Sequence, residues 1–251
     1  MTIFRNILWL KIAIVLLLIG AWQAVGYVIN NPILWPDFGS VVLKLFELLQ
    51  QKTFLLSVAS SLKVATLGFL SVMLLAFIIA IATYKIKFLK ELFTTVSAIV
   101  GPTPTLSWLP VFLIFFGFTK TTLYFLIVWG VLWFILPNIY SLIEMSQAQW
   151  DRQIKNLGFN KFKAFRHVYL PSMVKGFIST GTVNFMQVWR VLFSIEIIFG
   201  AMGGHIGIGT TMYDFKGKFD HVEVYACLLM IMILGAILST GLKLIEKKTK
   251  D

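Results

Sequence analysis

The 251-residue chain is 58% hydrophobic and 13% charged, against roughly 25% charged residues in an ordinary globular protein, and its mean hydropathy is +0.85. With 23 Phe, 8 Trp and 9 Met beside 11 acidic residues, a soluble fold of this length lacks the polar surface to cover itself, and the composition predicts an all-α polytopic membrane protein. The single Cys227 excludes a disulfide framework, three scattered histidines offer no metal-ligand spacing, and a net charge of +11 reads as the basic flanks of membrane spans rather than a nucleic-acid footprint.

A helical span needs about 20 mostly apolar residues, and about six such stretches can be marked. The first covers about 8–28; Arg5 and Lys11 ahead of it imitate a secretory signal, but its length and the spans that follow predict an anchor. A loop over about 29–56 carries Pro32, Pro36 and a short amphipathic helix on Val41, Leu45, Leu48 and Leu49, with Asp37 or Ser40 placed to cap it. The second span, about 57–84, ends at a basic turn with Lys85, Lys87 and Lys90. The third, about 92–118, is interrupted by Pro102, Pro104 and Pro110; each removes a backbone donor, which predicts a broken or bent span. The fourth covers about 122–143 and the fifth about 173–199, and a Gly-rich loop over about 200–221 precedes the sixth, about 222–244.

Six spans place both termini on one side. Fifteen Lys and Arg then fall on that side, against Lys44, Lys52, Lys120, Lys216 and Lys218 on the other, with Lys63 and Arg190 inside spans. The positive-inside bias predicts cytoplasmic termini. On this orientation residues 144–171 form a cytoplasmic segment. It reads as two short amphipathic helices: Trp150, Ile154 and Leu157 share one face of the first, Gly158 suits a left-handed terminus, and Asn160 caps a second that carries Phe162, Phe165 and Tyr169 up to Leu170 and Pro171. Such a unit suits either a partner's groove or the lipid headgroups.

In the fifth span Thr180, Asn184, Gln187, Arg190 and Ser194 recur at spacings that put them on one helix face, as a water-filled solute path requires or as interhelical hydrogen-bond glue. Glu196 lies about 120° from Arg190 around the helix and needs a partner from elsewhere; Lys63 is the candidate. His205, Asp214, Asp220, His221 and Glu223 read as a solvated outer loop. No Gly-x-x-x-x-Gly-Lys-Ser/Thr phosphate loop occurs, and no catalytic constellation is evident.

The 144–171 segment resembles the EAA loop of ABC-importer permeases, with Gly158, Val168, Leu170 and Pro171 at its spacing and Arg152-Gln153-Ile154 in place of Glu-Ala-Ala. Ser61-Leu62-Lys63 with Gly68-Phe69, Pro102-Thr103-Pro104, Trp108-Leu109-Pro110, Phe116-Gly117, Trp189, Glu196 and the glycines 203, 204, 207 and 209 extend the resemblance to the nitrate/sulfonate/taurine/bicarbonate permeases along nearly the whole chain. The resemblance implies a type I importer permease fold in a bacterial inner membrane, a homodimer of permeases, two ABC ATPase subunits and a periplasmic solute-binding protein. No cofactor is expected on this chain; ATP and Mg belong to the ATPase. Trp150, Arg152, Ile154, Leu157, Gly158, Asn160, Lys161, Phe162, Phe165 and Pro171 are the implied ATPase-coupling residues, the 180–194 stripe the translocation path, and Lys63, Pro102, Pro104, Pro110, Trp189 and Glu196 structural residues within the membrane. A small anion is the expected solute, with a vitamin-precursor pyrimidine or riboflavin as the alternative. A channel or carrier that needs no ATPase, and a scaffold that transports nothing, are the competing classes.

Overall fold

The computed structural model describes residues 2–83 and 85–250, with the side chains of residues 2–8, 11, 155, 161, 162, 173, 175, 177, 179 and 248–250 outside the description. Every regular element among the described residues is helical. α1 (Thr2–Ile29) is followed by α2 (Phe38–Leu49), which Asp37 caps by accepting the Ser40 N–H at 3.0 Å. Val41, Leu45 and Leu48 form its buried stripe. α3 (Lys52–Thr83) is the central pillar. Its buried face carries Ser57, Ser61, Ala65, Gly68, Val72, Ala76 and Ala80, small side chains that let neighbouring backbones come close where lipid removes any hydrophobic drive to pack. A Cβ on Gly68 would stand 2.9 Å from Ile127 Cγ2.

The third apolar stretch is broken, as its prolines predict. α4 (Lys87–Val100) turns through 100° into the 3-10 turn Thr105–Trp108 and α5 (Leu109–Phe116). Pro104 stands immediately before that turn, and Pro110 occupies the first turn of α5, where its missing N–H leaves no bond unmade. Gly130 permits the approach, since a Cβ there would fall 2.2 Å from Thr105 Oγ1. Trp108, Trp129 and Trp133 pack edge to face beside the bend with centroids 5.2 Å apart, so that ring edges meet ring faces. Among the described residues five helices are long and apolar enough to span a bilayer, and the bent pair makes a sixth if it counts as one span.

α6 (Lys120–Asn156) runs unbroken for 37 residues. The span expected over about 122–143 and the first amphipathic helix of the 144–171 segment form one continuous helix, because nothing in Glu-Met-Ser-Gln-Ala-Gln-Trp breaks it. α7 (Lys161–Ala164) passes through a π turn (Phe165–Tyr169) into α8 (Leu170–Ser179). The wider turn, closed by Leu170 N–H donating to the Phe165 carbonyl, is where the chain absorbs Pro171, which therefore does not stop the helix. α9 (Gly181–Phe199), a 3-10 turn (Met202–Gly204), α10 (Ile208–Gly217) and α11 (His221–Lys250) complete the chain. The core lies where α3, α6 and α9 meet, around Val72, Leu126, Ile127, Ile135, Leu136, Val188 and Leu192. α1 stands apart: none of its Ile12–Ile29 window is buried, and among the described residues it is tied near its end, where the Trp22 indole donates to the Pro36 carbonyl at 3.0 Å and Trp35 to the Trp22 carbonyl at 3.0 Å.

Candidate functional site

At the α7 end of the bundle, α6 closes on Gly158, whose φ of +64° is the left-handed conformation a glycine adopts at least cost. Phe159 N–H reaches back to the Ile154 carbonyl at 3.3 Å, and Asn160 Oδ1 accepts the Lys163 N–H at 2.8 Å, capping α7. The residues expected on one outward face divide. Leu157 is 66% exposed, whereas Ile154 is 7% exposed and, with Ala164, lies inside the unit. Ile154 is thus not an outward knob: one turn before a Schellman terminus its side chain is folded back under the returning chain. Trp150 and Phe165 are half-buried, and Arg152, Gly158, Asn160 and Pro171 are exposed. The side chains of Lys161 and Phe162 lie outside the described residues. Phe159, which the periodicity missed because it stands between the two helices, is exposed beside Leu157. Behind them a groove of about 540 Å³ is lined by Trp150, Gln153, Ile154, Leu157, Val168 and Pro171. Asp151, next to the arginine in the Glu-Ala-Ala position, accepts a hydrogen bond from the Tyr169 hydroxyl across the turn.

Within the membrane, the two sides of α9 differ in kind. Arg190 and Ser194 are exposed and Gln187 is half-buried on one face, which Val183 and Ile198 extend. Arg190 lies about 14 Å from the α10 end of the helix at 1.5 Å per residue. No carboxylate among the described residues stands in ion-pair range of its guanidinium. The expected stripe is therefore split: Thr180 is half-buried where α8 and α9 separate, and Asn184, 1% exposed, turns inward to Thr180 Oγ1 at 3.3 Å and Met73 Sδ at 3.7 Å. The split has a geometric reason. At 3.6 residues per turn Asn184 stands about 120° round α9 from Arg190, at the inner edge of the stripe, where Met73 of α3 meets it.

On the opposite side Glu196 is 1% exposed. Its carboxylate accepts the Ser61 hydroxyl at 3.0 and 3.1 Å, the Gly209 N–H at 2.9 Å, and stands 2.6 Å from His205 Nε2. Ser61 Oγ also accepts the Ile208 N–H at 2.9 Å. The anticipated Lys63–Glu196 pair does not form. Lys63 is exposed two residues past Ser61, about 200° round α3, and so points away from α9. His205, expected in a solvated loop, is 5% exposed and belongs to this cluster. The Gly-rich spacing has the same cause: a Cβ on Gly207 would fall 2.3 Å from Glu196 Oε1 and Ser61 Oγ, and one on Gly209 would fall 2.5 Å from Glu196 Cβ. A buried acid on a span, followed within one short loop by a histidine and two glycines, is the sequence signal that could have located it. The other structural residues fall into place around these faces: Pro102, Pro104 and Pro110 at the bend, and Trp189, 6% exposed, against Phe193 with centroids 4.7 Å apart.

The chain aligns along 95% of its length, at 25% identity, with 90% of a putative ABC transporter permease of Methanocaldococcus jannaschii. It aligns at 23% identity over 96% of its length with 86% of a putative aliphatic sulfonates transport permease of Bacillus subtilis, and at 19% over 92% with 90% of a formylaminopyrimidine transport permease of Halalkalibacterium halodurans. Residues 72–251 match the family model for the inner membrane component of binding-protein-dependent transport systems, which takes in the last part of α3, from Val72, and every later helix. The chain belongs to that family: it is a multi-pass ABC importer permease, a transport subunit rather than an enzyme.

Proposed function

We propose that this permease forms, with a second copy of itself, the path by which a small anion crosses the membrane, driven by two ATPase subunits at the α7 end and supplied by a solute-binding protein at the α10 end. One observation carries the reading. An unpaired guanidinium exposed deep in a span, beside Ser194 and Gln187, is too costly to leave facing lipid, so that face of α9 lines water or solute. A fixed positive charge at this depth attracts and orients an anion and repels cations. In this orientation α7 and both termini are cytoplasmic, in keeping with the basic residues around them. Leu157 and Phe159 then present the apolar surface that seats on the ATPase, which binds ATP and Mg; this chain carries no phosphate loop.

The test is ATP-driven uptake into vesicles carrying the complete transporter, with taurine, an alkanesulfonate, nitrate, bicarbonate and a formylaminopyrimidine offered in turn. Uptake of an anion from this panel is expected, falling at least about tenfold in Arg190→Gln and partly kept in Arg190→Lys, since loss of one charged contact costs on the order of 1.5–3 kcal/mol. Uptake of the uncharged pyrimidine, indifferent to Arg190→Gln, overturns the anion reading in favour of a heterocycle. Uptake without ATP overturns the importer mechanism.

A further inference from the structure

The route from the α7 turn back to α9 is not a single rigid helix. α6 leads to the turn as one continuous helix that carries Pro137 within it, its sides fixed in the core by Leu126, Ile127, Ile135 and Leu136, all fully buried. The returning leg is broken at Thr180, between the end of α8 and the start of α9. A helix N-terminus thus begins inside the span. It is held by Glu246 of α11, whose Oε1 accepts the Thr182 N–H at 2.8 Å, where a negative charge also complements the helix dipole.

Two further features mark the break. Thr182 Oγ1 and Asn184 Oδ1 are buried there without a hydrogen-bond partner, in residues 5% and 1% exposed. Buried polar atoms are nearly always paired, and an arrangement that leaves two unmet within three residues is one from which a neighbouring arrangement can gain. Beside them a cavity of about 190 Å³ between α3, the break and α11, lined by Phe69, Met73, Ile178, Thr182, Leu242 and Glu246, leaves room for such a shift. Gly181, at the break, has an ordinary negative-φ backbone and no atom within 4 Å of where a Cβ would stand. Neither sterics nor φ requires a glycine there. What a glycine supplies at such a position is backbone freedom.

We propose that Thr180–Gly181–Thr182 is a hinge, tethered by Glu246, on which α8 swings relative to α9 when the α7 turn is displaced, so that the motion reaches the Arg190–Ser194 face as a rotation of α9. The inference rests on the reading of α7 as the ATPase contact and of that face as the pathway. A mere kink and a working hinge respond oppositely to stiffening. Gly181→Ala removes backbone freedom at a site that accommodates the methyl group, so it leaves the fold intact or raises its thermal midpoint by roughly 1–3 °C. If the hinge works, the same change uncouples the two ends.

The experiment uses the full chain with its ATPase in membrane vesicles, in a Cys227→Ser background carrying Ser194→Cys, and follows labelling by the membrane-impermeant anionic thiol reagent 2-sulfonatoethyl methanethiosulfonate. Labelling rates are compared without nucleotide and after trapping with ATP and vanadate. The parent is expected to show a ratio of at least about fivefold between the states, and Gly181→Ala less than about twofold with its thermal midpoint held or raised. A Gly181→Ala protein that keeps the parental ratio overturns the hinge while leaving the pathway reading intact. A parent that labels in neither state, or equally in both, overturns the pathway reading, and the hinge with it. Should Gly181→Ala lower the midpoint, Glu246→Gln decides: it keeps an acceptor for the Thr182 N–H but removes the charge, and a ratio unchanged from the parent overturns the hinge, whereas a shifted ratio at an unchanged midpoint supports it.

Discussion

Glu196 and Arg190 stand six residues apart on one helix and are treated in opposite ways. The carboxylate is enclosed, with a hydroxyl, a backbone N–H and an imidazole around it. The guanidinium is exposed, and the Ser194 hydroxyl one turn on donates to the Arg190 carbonyl at 2.8 Å, not to the side chain. A charge kept inside a membrane protein serves either as mortar or as surface, and satisfaction of its hydrogen bonds tells the two apart. The Glu196 side joins α3, α9 and α10; the Arg190 side is left for something outside this chain.

The largest effect should come from breaking the enclosed side. Glu196→Ala leaves the Gly209 N–H, Ser61 and His205 without their acceptor in a closed space, which should cost about 3–5 kcal/mol and abolish recovery of folded chain from detergent-solubilised membranes. Glu196→Gln keeps the shape and one acceptor and should be recovered at reduced thermal stability. Equal recovery of Glu196→Ala and the parent would show that the cluster holds nothing together. Next in size, Gly209→Ala drives a methyl carbon against Glu196 Cβ from 2.5 Å, a clash that α10 can relieve only by lifting away. Overpacking of this kind costs typically 1–3 kcal/mol, or roughly 2–12 °C of apparent midpoint. Amide exchange should rise over 205–211 and stay unchanged in α6, and a uniform rise would mean that the glycine spacing serves the whole bundle rather than the Glu196 contact.

Much of this arrangement was legible in the sequence, and the parts that were not have two causes. Membrane insertion, the bend at Pro102–Pro104, the Asp37 cap and the left-handed Gly158 follow from local rules: composition, missing donors and cap chemistry act within a few residues. That the fourth span and the first amphipathic helix after it are one helix is not legible, because the change from apolar to polar residues near 143 marks a membrane surface, to which helix propensity is indifferent. The Glu196 partners were missed for a different reason. Ser61 and His205 lie 135 and nine residues away in the chain, and the register between α3 and α9 is set by packing at Gly68, Ile127 and Val188, which periodicity on one helix does not reveal. Likewise a 180–194 stripe spread over about 120° of helix includes Asn184 at its edge, and only the packing of α3, through Met73, decides that this edge is buried. What one helix dictates could be read in advance; what two helices decide together could not.

The smallest stability effect separates the two sides most sharply. Arg190→Leu exchanges an exposed guanidinium for a shorter apolar side chain, and since no described group loses a partner, the folded chain should lose no more than about 0.5 kcal/mol and can gain. The comparison with Glu196→Gln, measured as apparent unfolding midpoints of the purified chain in the same detergent, sets a near-zero change against a lowered midpoint. Arg190→Leu matters in another respect. If the face lines a wetted path, the substitution removes the charge that keeps water and anions there, and a thiol placed at Ser194 should become slower to react with the anionic reagent than with its cationic counterpart. Were Arg190→Leu instead to lower the midpoint by several degrees and shift the protein from dimer to monomer, the guanidinium would be holding a second copy, and both charges of α9 would be mortar.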